Sequence, residues 1–249
     1  FQAVADGEIR ALWIACTNPA QSIPDQALVR RALARAEFVV VQEAFASTAT
    51  CDFADLLLPA TTWGEKEGTV TNSERRISRV RAAVPAAGQA RHDWSIATDF
   101  ARRLATRLER GALLFPYEQP EQVWHEHRES TRGRDLDITG LSYAQLEARP
   151  QQWPQPEGQA TGKGRLYEDG VFPTANGRAR FAATPWKAVA EPVDARYPFS
   201  LNTGRLRDQW HGMSRTGTLG RLFGHVPEPV VQMHPQDMAR RQLHAGDLV

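Results

Sequence analysis

Cysteine is scarce. Cys16 and Cys51 are the only two in 249 residues. Two thiols make neither a disulfide framework nor an iron–sulfur motif. Lysine is scarce as well: only Lys66, Lys163 and Lys187 stand among 30 basic residues. Long apolar runs are missing, the longest reaching about half of the roughly 20 residues that a membrane-spanning helix needs. No secretory leader is visible. Bulk charge is missing too, at a formal net +1. No positive field exists to draw in nucleic acid or an anionic membrane. The histidines show no metal-ligand spacing. No GxGxxG follows the first apolar run, so an ordinary Rossmann NAD site is excluded. These absences predict a cytoplasmic protein with no nucleic-acid partner and no membrane partner.

What is present reads as an α/β protein. Hydrophobic content of 41% and charged content of 24% suit a soluble chain of one large or two modest domains. "ALWIACT" (11–17) is a buried strand that stops at Asn18-Pro19. The next segment is a helix, with Ser22 to cap it, Pro24 in its first turn and Asp25 complementing the dipole. Its apolar face is Ala27, Leu28, Ala32, Leu33 and Ala36. "FVVVQE" (38–43) is apolar without alternation, as in a parallel sheet. A short helical stretch at 46–52 and the strand "ADLLLPA" (54–60) follow. Strand–helix–strand–helix–strand predicts a parallel Rossmann-like sheet with flanking helices. Ligands of such sheets sit outside the carboxyl ends of the strands, here at Thr17-Asn18, Gln42-Glu43 and Pro59-Ala60-Thr61.

The segment 61–79 is polar and Gly-punctuated, and predicts a functional loop. Lys66 there fits a phosphate contact; an internally salt-bridged loop is the plainer alternative. Asp93 then caps a helix whose core-facing stripe is Ala97, Phe100, Leu104 and Leu108, with Gly111 ending it. A second helix begins near Pro120, and Ser142 with Gln145 forms a capping box for a third, ended by Pro150. The Pro-, Gln- and Gly-rich stretch 149–164 predicts an irregular linker over the surface. Asp-Gly and Asn-Gly at 169–177 predict short β pairs. From 197 onward the pattern is strand, polar loop, the strand "PVVQM", a short helix from Pro235, and a turn. The expected division is 1–148 as the α/β region, 149–196 as linker, and 197–249 as the start of a β-rich domain. The chain opens without Met and stops at "HAGDLV", which predicts a piece of a longer polypeptide.

The densest donor cluster is "LNTGRLRDQWHGMSRTGT" (201–218). It has three glycines, no Val or Ile, and Arg205, Arg207, Gln209, Trp210, His211 and Arg215 close together. Residue types alone fit an anion or heterocycle site and a solvated loop equally well. The arginine excess suits bidentate grips on phosphate, and equally the codon usage of a GC-rich genome. Asp93 is most simply a cap, although a carboxylate also accepts from a guanine or pterin N–H pair. Cys16, inside an apolar strand, reads as inert packing. Cys51 has no evident base beside it. No Ser/His/Asp or Cys/His arrangement is legible.

Taken in order, "TNPAQSIPD", "ADLLLPATTWGEKEGTVTNSERRI", "FPTANGRARF", "LNTGRLRDQWHGMSRTG", "MHPQDM" and "GDLV" resemble the molybdopterin oxidoreductases of the dimethyl-sulfoxide-reductase type. The resemblance runs over nearly the whole chain, and within the family is most like assimilatory nitrate reductase catalytic subunits. It implies a bis(molybdopterin guanine dinucleotide) cofactor holding one molybdenum, nitrate as substrate, and an electron-donor protein or domain. It also implies that residues 197–249 open a double-psi-barrel-like dinucleotide-binding domain that stops early. The dinucleotide contacts it implies are Asn18, Gln42, Glu43, Lys66, Asp93 and the run Thr203, Gly204, Arg205, Leu206, Arg207, Asp208, Gln209, Trp210, His211 and Gly212. Gln42 departs from the Ser or Asp of some members. The family's upstream 4Fe-4S cysteines and molybdenum-ligating Cys match nothing here, so no catalytic and no metal-ligating residue is assigned. A fragment inactive alone, with no cofactor bound, is the expectation. The alternatives are a family member acting on formate, a sulfoxide or an arsenic oxyanion, and a free-standing nucleotide-binding module.

Overall fold

The computed structural model describes residues 1–110 and 114–249, so the expected helix end at Gly111 lies outside the described residues. Two compact units appear, Phe1–Val189 and Ala190–Val249. In the first, α1 (Gln2–Asp6) leads into β1 (Ala11–Ala15). Next come α2 (Pro19–Ser22), α3 (Gln26–Arg35), β2 (Phe38–Glu43), a 3-10 turn at Cys51–Phe53, and β3 (Leu56–Pro59). The three strands are parallel in the order β1-β2-β3, with Ile14 opposite Val41 and Glu43 opposite Pro59. The expected parallel α/β arrangement is thus present. Ile14, Val39 and Val41 pack with Ala20, Val29, Leu33 and Cys51 into one core. Apolar area removed from water there stabilises the sheet by about 25 cal/mol per Å².

The crossover differs in detail from its sequence reading. Ser22 ends α2 rather than capping the long helix. Asp25 is the cap of α3, its side chain accepting from the Leu28 N–H at 3.1 Å. The buried face is Val29, Ala32 and Leu33, while Ala27 is exposed. Positions i, i+3 and i+4 starting from Val29 share one face; Ala27 lies off it.

The expected loop at 61–79 is instead ordered structure. Thr62 and Glu65 form a capping box around a 3-10 turn at Trp63–Glu65. β4 (Gly68–Thr71) and β5 (Arg76–Val80) then pair antiparallel. The Asn72 carboxamide oxygen closes their turn by accepting from the Glu74 and Arg76 N–H groups. α4 (Asp93–Arg107) follows, with His92 as its cap and Asp93 as its first helical residue. The stripe Ala97, Phe100, Leu104 and Leu108 is exposed, not core-facing. Ile96 and Thr98 are the buried residues of α4, and Phe100 packs edge-on against Trp13, ring centroids 4.9 Å apart. The periodicity is that of an amphipathic face, and among the described residues nothing buries it.

α5 (Pro120–Ser130) and α6 (Tyr143–Ala148) match the readings from Pro120 and from the Ser142/Gln145 capping box. They bury Trp124, Tyr143 and Leu146 with Ile77, Ile138 and Leu141 in a second core. The Pro-rich stretch enters this unit rather than passing over it. β6 (Gln151–Gln152) pairs with β5, and Gln155 is fully buried, bonded through its backbone to Asp137 and Gly140.

Among the described residues, no strand follows Gln152. The Asn176-Gly177 turn forms, with Phe172 N–H donating to Gly177 C=O at 2.9 Å, but no β pair extends from it. The second unit holds a 3-10 turn at Gly220–Phe223 and α7 (Pro235–Arg240), as expected from Pro235. Residues 197–205 and 229–233 read as strands but are irregular. Leu201, Val230 and Val231 stay exposed there. An extended segment is a strand only when a neighbouring strand takes its N–H and C=O groups, and among the described residues no strand pairs with these. No described helix is long and apolar enough to cross a membrane.

Candidate functional site

The carboxyl ends of β1, β2 and β3 gather a polar cluster around Asp93. Gln42, 4% exposed at the end of β2, donates from Nε2 to Asp93 Oδ1 at 2.8 Å. The Lys66 ammonium donates to Asp93 Oδ2 at 2.7 Å. The Cys16 thiol donates to Asp93 Oδ1 at 3.4 Å. Three of the residues read separately from sequence therefore meet on one carboxylate. Asp93 does not cap α4; its side chain is turned to the strand ends. Burial pushes its carboxyl pKa up, but the hydrogen bonds from Lys66 and Gln42 and the Lys66 charge outweigh this and hold it below the usual value.

Cys16 corrects a sequence reading. It lies one residue beyond β1, exposed, with φ of 59°. That left-handed backbone is uncommon outside glycine and turns the thiol toward Asp93. Burial and the Asp93 carboxylate push its pKa up, so the thiol stays a neutral donor at neutral pH. Cys51 is buried against the Thr48 hydroxyl. Neither residue had a sequence signal for this.

Asn18 serves the site through its scaffold. Its Oδ1 accepts from both the N–H and the hydroxyl of Thr50, at 3.1 and 2.7 Å, and its Nδ2 donates to Gln21. This pins the segment after β2. Glu43 lines a cavity of about 330 Å³ together with Ala44, Ala46, Cys51, Pro59 and Gln89. One of its carboxylate oxygens accepts from the Ala44 N–H at 2.8 Å. At the end of β3, Thr61 is 2% exposed and its hydroxyl has no partner among the described residues. The same holds for His92 Nδ1 and Trp94 Nε1 on either side of Asp93. Buried polar atoms without partners are uncommon and call for an explanation.

In the second unit, the run 203–212 is largely exposed. Arg207 turns onto its neighbour Asp208 at 2.9 and 3.1 Å, and His225 meets the same carboxylate at 3.3 Å. The Thr216 hydroxyl donates to the Gln209 side chain at 2.6 Å and accepts from the Trp210 N–H at 3.0 Å. Arg215 lies 5.9 Å over the Trp210 ring. His211 and Met213 have φ of 44° and 62°, a tightly coiled backbone. Thr203, Gly204, Arg205 and Leu206 are exposed, Arg205 making no ion pair among the described residues, and Gly204 has open space where a Cβ would stand. Gly212 is half-buried. No group of three or more His, Cys, Asp or Glu among the described residues is arranged to hold a metal.

A parallel sheet with polar side chains gathered at its carboxyl edge is the arrangement of nucleotide-binding α/β proteins. Residues 1–103 match the family model of the molybdopterin oxidoreductases, and residues 199–249 match the molydopterin dinucleotide binding domain. The chain belongs to the molybdopterin oxidoreductases. It is 41% identical over 257 residues to a nitrate reductase of Klebsiella oxytoca, covering 100% of this chain and 28% of that protein. It is 35% identical over 252 residues to the assimilatory nitrate reductase catalytic subunit of Bacillus subtilis (strain 168), covering 100% of this chain and 34% of that one. The chain thus spans about a third of the length of the curated relatives it matches. Among solved structures, acetylene hydratase from Pelobacter acetylenicus is similar in fold, with a TM-score of 0.53 over 99% of this chain and 34% of that chain at 17% identity.

Proposed function

We propose that this chain is part of a molybdenum-dependent nitrate reductase of the assimilatory type and supplies a portion of its bis(molybdopterin guanine dinucleotide) cradle. The observation that carries the reading is the Asp93 cluster at the carboxyl edge of the sheet, in a chain whose full length aligns with nitrate reductases. The donor set suits a dinucleotide. Asp93 and Glu43 are acceptors for N–H and hydroxyl groups, and the unpartnered Thr61 hydroxyl is the kind of buried atom a ligand satisfies. The bound molybdenum cofactor would supply the redox chemistry of oxygen-atom abstraction from nitrate, fed by electrons from an iron–sulfur centre and a donor protein or domain, while this chain's residues would hold its dinucleotide.

The work of this chain's own residues is binding and orientation. Gln42, Glu43, Lys66 and Asp93 form the contact set at the sheet edge, and Asn18 holds the segment that follows Glu43. Thr203 through Gly212 form a second contact set, with Arg205 and Arg207 as charge-assisted donors to phosphate. In this reading, residues 1–148 together with the paired and buried stretch 151–155 are the α/β dinucleotide-binding region, the remainder up to 196 a connection, and 197–249 the opening of a β-rich, barrel-like dinucleotide-binding domain. The cytoplasm is the compartment that an assimilatory role assigns.

The test is an assay with reduced viologen as donor. A polypeptide of the relatives' length carrying this sequence is expected to reduce nitrate and to leave formate untouched. The 249-residue chain by itself is expected to be inactive. Formate turnover without nitrate turnover overturns the substrate. Sustained nitrate reduction by the 249-residue chain overturns the division of labour.

A further inference from the structure

Among the described residues β1 pairs with β2 alone and ends the sheet on that side. Its ladder shows which backbone groups face outward. The Cys16 N–H donates to Gln42 C=O at 3.0 Å, and the Arg10 C=O accepts from the Glu37 N–H at 2.8 Å. Alternate residues of a parallel pair turn their backbone groups to the same side. Even-numbered residues therefore face β2, while Ala11, Trp13 and Ala15 face away. Among the described residues, no hydrogen bond outside the β1–β2 ladder reaches these three. Exposed edges are commonly blunted by charge or proline; "ALWIA" carries neither. The helix α4 lies along the same strand. Its first residue, Asp93, is bonded to Cys16 just past the end of β1, and Phe100 packs on Trp13, three residues back. Seven helical residues and three strand residues each span about 10 Å, so α4 runs antiparallel to β1. Trp13 points to the face opposite Ile14, which packs against α3. β1 thus has a helix on each face, as an interior strand has, yet it stands at an edge. The apolar stripe of α4 meets the sheet at Phe100; Leu104 and Leu108 continue it and stay exposed.

We propose that the open edge of β1 and the α4 stripe together receive a further strand, supplied by the same polypeptide from outside residues 1–249. Its backbone takes the outward N–H and C=O groups of Ala11, Trp13 and Ala15, and its alternate side chains cover Trp13, Phe100 and Leu104. Residues 1–249 cover only 28% and 34% of the two nitrate reductases above, so a polypeptide of that length has ample sequence to provide one. A second copy of the chain fits less well. Pairing about a two-fold axis sets β1 against β1 antiparallel, at odds with a sheet whose three strands are all parallel. The added strand requires a longer polypeptide and no particular reaction.

The test compares backbone amide exchange, residue by residue, in the 249-residue chain and in a polypeptide of the relatives' length carrying this sequence. In the 249-residue chain the Leu12 and Ile14 amides, which face β2, are expected to be protected, and those of Trp13 and Ala15 to exchange freely. In the longer polypeptide the Trp13 and Ala15 amides should slow by at least about tenfold, toward Leu12 and Ile14. Leu104→Glu provides a second measurement. It should leave the melting temperature of the 249-residue chain in place, because Leu104 is 43% exposed there. In the longer polypeptide it should lower the melting temperature, because the new charge is buried. Where that variant fails to fold, Leu104→Ala takes its place, with a smaller loss expected. Trp13 and Ala15 amides that exchange equally fast in both lengths overturn the proposal. So does a Leu104 variant that melts with wild type in both. Protection that appears only as the longer polypeptide dimerises assigns the edge to a second copy, and protection that appears only on adding a separate protein assigns it to a partner; either result overturns the proposal.

Discussion

The sheet edge and the arginine-rich run make the same kind of promise in sequence and keep it differently. At the sheet edge, Cys16, Gln42, Lys66 and Asp93 come from four separate places in the chain and meet on one carboxylate. In the run 203–212, Arg207 pairs with the very next residue, Asp208, and most side chains stay exposed. The difference lies in what supports each set. Parallel strands fix the positions of their own ends, because register is set by a buried core. A run with no strand neighbour has no such frame, so its charges pair with whatever is nearest. A site built on regular elements is held more closely than one built on a loop.

The largest expected effect breaks the frame itself. Leu33→Ala empties a site that is 2% exposed in the core behind the sheet, and should cost about 2–5 kcal/mol. Urea denaturation followed by signals of the first unit checks it. Next comes Asp93→Asn, which leaves Lys66 without its carboxylate. With the two side chains 23% and 31% exposed, the loss should fall near 1–2 kcal/mol, between exposed and buried ion pairs. A stability unchanged by Asp93→Asn would erase the contrast between the two regions.

Acid offers a third, smaller handle. The Asp93 pKa is depressed in the folded state, so its contribution is present above the unfolded value of about 3.9 and disappears as pH falls through the lower folded value. Melting curves below pH 4 should show wild type losing stability, while Asp93→Asn lacks that component. The smallest effect is expected in the run itself. Arg207→Ala should leave the melting temperature nearly unchanged, since the Arg207 side chain is 73% exposed and its pair with the adjacent Asp208 is strongly screened. A clear loss would mean the run is held as closely as the sheet edge.

Much of the first unit was legible because its signals were strong. "FVVVQE" is a buried parallel strand with no alternation, and Ser142 with Gln145 marks a helix start by mutual capping. The hairpin at 68–80 was hidden because its buried side rests on Ile77 alone, too little to register as a period of two. The stripe Phe100, Leu104 and Leu108 was a true periodicity with a wrong partner, since periodicity reports a face and not what covers it. Of the candidate site, the strand-end argument points to Asn18, Gln42, Glu43 and Thr61. That Lys66 and Asp93 join Gln42 depends on tertiary placement. The left-handed turn at Cys16 that brings its thiol to Asp93 has no sequence signature, and the unpartnered Thr61 hydroxyl becomes visible only as burial.

The account turns on Asp93 as the fixed acceptor of the dinucleotide cradle, and molybdenum content tests it most directly. In a polypeptide of the relatives' length carrying this sequence, purified wild type should contain molybdenum, and Asp93→Asn should contain at least about tenfold less, as losses of supporting contacts commonly cause. Full molybdenum content and undiminished nitrate reduction in Asp93→Asn would contradict it.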